Sequence, residues 1–162
     1  MVQDARAVMA ERYLRARVMP EHPLRVAALV AGTGAEPWLV ATALLHDVVR
    51  DTNTRAYELE RRVDPRVLRA VEVLDEVTGP GAYQARARRK RERVAAAEWG
   101  VALVFAADLV DRLRVLHRAP TELSAQRRAH YRAAVRLVLS REPTLPWNAE
   151  TAELGGSVLG DG

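Results

Sequence analysis

The sequence predicts an all-α protein folded as a single helical bundle. Three observations carry that reading: apolar residues recur at helical spacing in nearly every segment, the alternating runs of half-buried strands are absent, and Gly and Pro separate the periodic stretches. A first amphipathic helix runs from about Asp4 to Arg17 and stops before Met19-Pro20. A second starts near His22-Pro23 and ends at Gly32, a residue suited to closing a helix. Pro37 opens the third, PWLVATALLHDVVRDT, which is apolar on most of its surface until His46-Asp47 and is therefore expected at the centre of the bundle. Asp64-Pro65 has the form of an N-cap followed by proline at the first helical position, launching RVLRAVEVLDEV, which breaks at Thr78-Gly79-Pro80-Gly81. A charged helix follows from roughly Ala82 to Glu98, then after Gly100 the apolar helix VALVFAADLVDRLRVLHR, bounded by Pro120. A last amphipathic helix covers about Glu122 to Ser140. The expected domain spans residues 1–142, and residues 143–162, with little periodicity, read as a tail whose first part Trp147 anchors.

At 162 residues, with 49% hydrophobic and 28% charged, the chain is long enough for one domain with a core of its own. It has no cysteine, which excludes disulfides, thiolate zinc sites and cysteine nucleophiles, so a metal must sit on nitrogen and oxygen ligands. The N-terminal MVQDARAVMAERYLRAR carries acids and lacks an apolar run, and no later segment reaches membrane-spanning length, so a soluble cytoplasmic protein is the expectation. Lys90 is the single lysine, and arginine supplies nearly all of the basic charge behind the net +4. Guanidinium groups suit forked recognition of phosphate or carboxylate; an arginine-rich coding bias accounts for the same count.

Two places in the sequence require partners. His46 and Asp47 follow turns of Leu, Val and Ala, so both side chains are drawn toward the interior, where a hydrogen-bonded pair or a metal satisfies them. Asp108 lies within VALVFAADLV, and a carboxylate buried without a partner is costly. Arg112, four residues on, offers an ordinary helical salt bridge; the alternative is that Asp108 meets His46, Asp47 and a further histidine around a divalent ion. His22, at the mouth of the second helix, is the candidate for that histidine.

His22, His46-Asp47 and Asp108 follow the H...HD...D order of the HD phosphohydrolase superfamily. The segments EHPLRVAALV, ATALLHDVVRDTNT, RAVEVLDEVT, RRKRERV and LVFAADLVDRLRVL resemble the RelA/SpoT-type guanosine polyphosphate hydrolases, especially the small stand-alone members. RRAHYRAAVRLVLS is similar to that family's closing helix. The resemblance implies an HD-domain bundle in which His22, His46, Asp47 and Asp108 hold manganese, which activates water for hydrolysis of a guanine nucleotide's 3′-diphosphate. Such a donor set suits Mn²⁺ and leaves positions for water and a phosphate oxygen. The family's Glu-Asp pair after the HD motif reads Arg50-Asp51 here, so Asp51 carries the acid-base work and Arg50 is expected on phosphate. Arg112 replaces a family asparagine, and the Arg-Lys signature before the first ligand has no counterpart in YLRARVMPEHP.

The run RARRKRER sets Arg86, Arg89, Lys90 and Arg93 on one helical face. They form a candidate polyphosphate-facing wall, the competing reading being a solvated surface helix, and Arg112 is a further candidate phosphate contact by the family resemblance. No aromatic residues interleave the run, which disfavours nucleic acid as a partner. His117 and His130 lie outside the pattern and read as surface residues. The expected function is thus a metal-dependent phosphohydrolase acting on a phosphorylated nucleotide, guanosine tetraphosphate first. The alternative is a binding or regulatory module without turnover, supported by Arg50 and Arg112, and a homo-oligomer is compatible with either.

Overall fold

The structure is a computed structural model that describes residues 1–75 and 81–160. The described residues form ten helices and no strand, confirming the all-α expectation. They group as two compact units, Met1–Pro80 and Gly81–Gly162. The expected end of RVLRAVEVLDEV and the Thr78-Gly79-Pro80 break lie outside the described residues.

In the first unit, α1 (Val2–Ala16) and α2 (Glu21–Gly32) both pack on α3 (Pro37–Leu45). α3 is central, as its composition predicts: Ala41, Ala43, Leu44 and Leu45 are fully buried. A helix that is apolar all round finds no solvent face, so neighbours cover it on every side. The long third helix of the sequence reading is in fact two. α3 stops at Leu45, and α4 (Val48–Thr52) restarts after Asp47, whose backbone lies at φ −107°, ψ 3°. The reason is local: the His46 ring is 2.7 Å from the Ala43 carbonyl through Nδ1, a side-chain bond that competes with the helical ladder.

A short α5 (Ala56–Leu59), too brief to leave a periodic signal, leads to α6 (Pro65–Leu74). Here the expected cap forms: the Arg66 N–H donates to the Asp64 side chain at 2.8 Å, with Pro65 at the first position. Arg66 also lays its guanidinium 3.8 Å from the Trp38 ring centroid, tying α6 to α3.

In the second unit, α7 (Tyr83–Ala96) buries only Ala87, Lys90 and Val94, the stripe it turns toward α8 (Trp99–Arg118). α8 begins before Gly100, not after it, with Glu98 as the residue that precedes its first turn. α9 (Ala125–Leu139) starts three residues later than expected, where the Ser124 hydroxyl accepts from the Arg127 N–H at 3.3 Å.

Residues 143–162 were expected to be a tail, yet α10 (Asn148–Leu159) packs on α8 and α9. Small residues hid its periodicity. Gly155 is buried, and a Cβ built there would sit 3.3 Å from a Val135 methyl, so glycine permits the close approach. The connection is fixed by Trp99, whose indole N–H donates to the Pro143 carbonyl at 2.9 Å, and by Arg141, which donates to the Ala95 carbonyl at 2.7 Å and to that of Ala97. Arg114 clamps Glu150 through two bonds of 2.7 Å. Trp147 is the turn residue that admits α10, at φ 65°.

Candidate metal centre

Three of the residues singled out in the sequence meet within the first unit. α2 delivers His22 from its first turn, and the α3–α4 break delivers His46 and Asp47. One ligand atom from each lies within 4.8 Å of the others. His22 Nε2 is 3.5 Å and His46 Nε2 3.3 Å from the same oxygen, Asp47 Oδ2. The two rings meet edge to face with centroids 5.3 Å apart.

The chemistry of this donor set fits a divalent cation. Ala43 offers His46 Nδ1 a carbonyl, which only accepts, so Nδ1 carries the proton and Nε2 the lone pair in the neutral ring. Nε2 thus turns an electron pair toward a carboxylate oxygen, and a backbone carbonyl holding the distal ring nitrogen is the usual support of a metal-binding histidine. Two imidazoles and a carboxylate suit a borderline or hard ion. Asp47 is almost fully buried, so its charge demands cationic company.

Arg50 supplies part of that company. Its Nη2 donates to Asp47 Oδ2 at 2.5 Å and its Nε to Asp51 Oδ1 at 2.8 Å, so one guanidinium spans the candidate ligand carboxylate and the expected base. The sequence placed Arg50 on phosphate; the structure adds that it neutralises two acids. The other oxygen of Asp51 accepts from the Tyr13 hydroxyl at 3.0 Å. Tyr13 is buried, and burial first, then the charges of Asp51 and Asp47, push its pKa far up, which keeps the phenol a donor. Sequence reading passed over Tyr13. Its place on the buried stripe Ala5-Met9-Tyr13 is legible at four-residue spacing, but a partner 38 positions away is not.

Asp108 belongs to the second unit, where α8 buries it. The helical pair with Arg112 forms, Arg112 Nε donating to Oδ1 at 2.6 Å. Lys90 Nζ approaches Oδ2 at 3.8 Å and lies 5.6 Å from the Phe105 ring centroid. Lys90 is only 3% exposed, so it is a counter-ion to a buried carboxylate and not part of an open basic wall, a correction to the face expected of Arg86, Arg89, Lys90 and Arg93. The cause is geometric: Lys90 falls on the Ala87-Lys90-Val94 stripe that α7 turns inward. Arg86 and Arg89 are half-buried, and Arg86 Nη1 donates to the Gly81 carbonyl at 2.5 Å. His117 is exposed as expected, whereas His130 is half-buried beside Arg91.

Residues 1–137 match the HD domain family. This chain belongs to the HD domain family. Among solved structures, the HD domain described here is similar to a metazoan ortholog of SpoT, described as hydrolyzing ppGpp and playing a role in starvation responses. The two share 22% identity over 93% of each chain, with a TM-score of 0.75, which places them in one fold. No curated protein matches the sequence. Among the described residues of this HD domain, no helix is long and apolar enough to cross a membrane.

Proposed function

We propose that this HD domain is a manganese-dependent phosphohydrolase that removes the 3′-diphosphate of a guanosine polyphosphate. The observation that carries the reading is the convergence of His22 Nε2 and His46 Nε2 on Asp47 Oδ2 in a chain of the HD family. The similarity to a ppGpp-hydrolyzing SpoT ortholog supplies the substrate class. In this proposal Asp108 is the fourth ligand, completing the set named from the sequence order.

His22, His46, Asp47 and Asp108 would hold the divalent ion, which would supply acidification of water and compensation of charge at phosphorus. The chain's own groups do the rest. Asp51, held by Tyr13 on one oxygen and Arg50 on the other, orients the attacking water and takes its proton. Arg50 is part-exposed, so its guanidinium can exchange Asp47 for a phosphate oxygen while Nε keeps Asp51 in place. Arg86 and Arg89 bind the polyphosphate, and Arg112 together with Lys90 sets the charge of Asp108. The substrate is soluble and the setting cytoplasmic.

Pyrophosphate release from ppGpp with and without Mn²⁺, read beside metal content, tests the proposal. Asp47→Asn is expected to lose both metal and turnover, and Asp51→Asn to lose turnover while retaining metal. Wild type that holds Mn²⁺ and binds ppGpp without releasing pyrophosphate would make this chain a binding module, the role that the Arg50 bridge between Asp47 and Asp51 would then serve. Activity untouched by Asp51→Asn would refute the mechanism.

A further inference from the structure

A cavity lined by charged and amide side chains lies in the Gly81–Gly162 unit. Gln84, Arg88 and Arg91 of α7 and Gln126 and His130 of α9 line a space of about 410 Å³. That volume lies within the roughly 300–1,000 Å³ of small-molecule sites. At about 100° per residue, Gln84, Arg88 and Arg91 share one face of α7, roughly opposite the face of Arg86, Lys90 and Arg93. Since Lys90 is the residue that reaches Asp108, this cavity opens on the other side of the helix from the proposed polyphosphate contacts.

Its charge is unbalanced. The half-buried Arg91 gives Nη1 to His130 Nδ1 at 2.5 Å; because arginine only donates, Nδ1 is the acceptor and the imidazole that meets Arg91 is neutral. Among the described residues, the one hydrogen bond of this guanidinium therefore goes to a ring and not to a carboxylate. Burial draws the Arg91 pKa down, and the nearby charges of Tyr83 and Glu92 oppose it only in part. Glu92, the acid of this stretch, sits against Arg88 Nε at 3.5 Å on the surface. Tyr83 meets the His130 ring edge to face at 6.0 Å, which fixes the imidazole that orients Arg91. An anion entering here would gain two guanidinium groups, and the amides of Gln84 and Gln126 offer donors and acceptors of the kind a base or sugar needs.

We infer that the α7–α9 cavity binds a small phosphorylated ligand of nucleotide size, with Arg91 and Arg88 on the phosphate and Gln84 and Gln126 on the remainder. It is a site separate from the metal centre and does not depend on the activity proposed there.

Calorimetric titration of the full chain with guanosine 5′-monophosphate tests it, alongside inorganic phosphate and a short single-stranded RNA. Saturable binding is expected in wild type and in Asp47→Asn, and is expected to weaken by about tenfold or more in Arg91→Gln. Ala129→Phe, at an exposed lining position, fills the space while leaving both arginines, and should weaken binding equally with an unchanged melting temperature. Binding lost in Asp47→Asn but kept in Arg91→Gln would assign the nucleotide to the metal centre and overturn the inference, as would no saturable binding. Inorganic phosphate bound as tightly as the nucleotide would reduce the cavity to a bare anion site, and RNA bound more tightly through Arg88 and Arg91 would replace the small ligand with a nucleic acid. Either result overturns the inference as stated.

Discussion

Asp47 Oδ2 accepts from Arg50 and faces the Nε2 atoms of both His22 and His46, so one oxygen sets the charge balance of the whole cluster. Removing the guanidinium and adding a carboxylate through Arg50→Glu leaves Asp47, Asp51 and the new acid close together. Without metal this variant is expected to lose roughly 1–3 kcal/mol of stability, the scale of a lost charged hydrogen bond, and Mn²⁺ should restore it more than it raises the parent. Thermal melts with and without Mn²⁺ check this; equal melting of both proteins under both conditions would show that Arg50 compensates nothing. Tyr13→Phe removes one of the bonds that orient Asp51. Turnover of ppGpp should drop by about tenfold, the rate equivalent of about 1.4 kcal/mol, with KM little changed. Unaltered kcat would leave the phenol a packing group. His22, His46, Asp47 and Asp108 stand out in the sequence as polar residues in need of partners, and Asp51 is named by the family resemblance alone; Tyr13 has no such signal, because its bond to Asp51 joins two helices.

At the scale of elements, α10 departs most from the sequence reading, and two of its residues explain how it docks. A Cβ at Gly155 would press to 3.3 Å on a Val135 methyl across the contact. Gly155→Leu should overpack the α9–α10 contact and cost about 1–3 kcal/mol, measured as a lower denaturation midpoint at constant slope. A midpoint equal to that of wild type would mean that the helices separate without cost. The second residue is Glu150, whose carboxyl is held below its ordinary range, first by the hydrogen bonds from Arg114 and then by its charge. A pKa depressed on folding stabilises above the unfolded value near 4.5 and loses that contribution as pH falls through the folded value. Acid should therefore loosen α10, seen as lower amide protection over Asn148–Leu159 once pH falls below the ordinary carboxylate range, a change that Glu150→Gln displays already at neutral pH. The α3–α4 break follows the same logic on a smaller scale. Periodicity ran through Pro37–Thr52 without interruption, and the bond between His46 and the Ala43 carbonyl, invisible in any pattern, divided it.

For the molecule as a whole, the decisive residue is Asp108, buried in α8 among apolar neighbours with Arg112 and Lys90 as partners. If it is a ligand as proposed, Asp108→Asn should abolish Mn²⁺ binding, read by metal analysis after dialysis. The isosteric change limits the damage to packing, whereas Asp108→Ala also leaves Lys90 buried beside a void, at about 3–5 kcal/mol for a broken buried pair. Metal content equal to wild type in Asp108→Asn would leave the aspartate a salt-bridge partner only. The sequence by itself determined the helical class, the central position of α3, the Asp64-Pro65 start of α6 and the order of metal-type residues, because these rest on periodicity, capping chemistry and residue type, all of them local in the chain. Tertiary structure alone decided that Lys90 is buried, that Arg50 joins Asp47 to Asp51, that Tyr13 holds Asp51 and that residues 148–159 form a packed helix. Each of those outcomes depends on which charges and surfaces meet across the fold, and the cost of burying an unpaired charge or an open backbone is set by the neighbours that folding brings, not by the residues next in sequence.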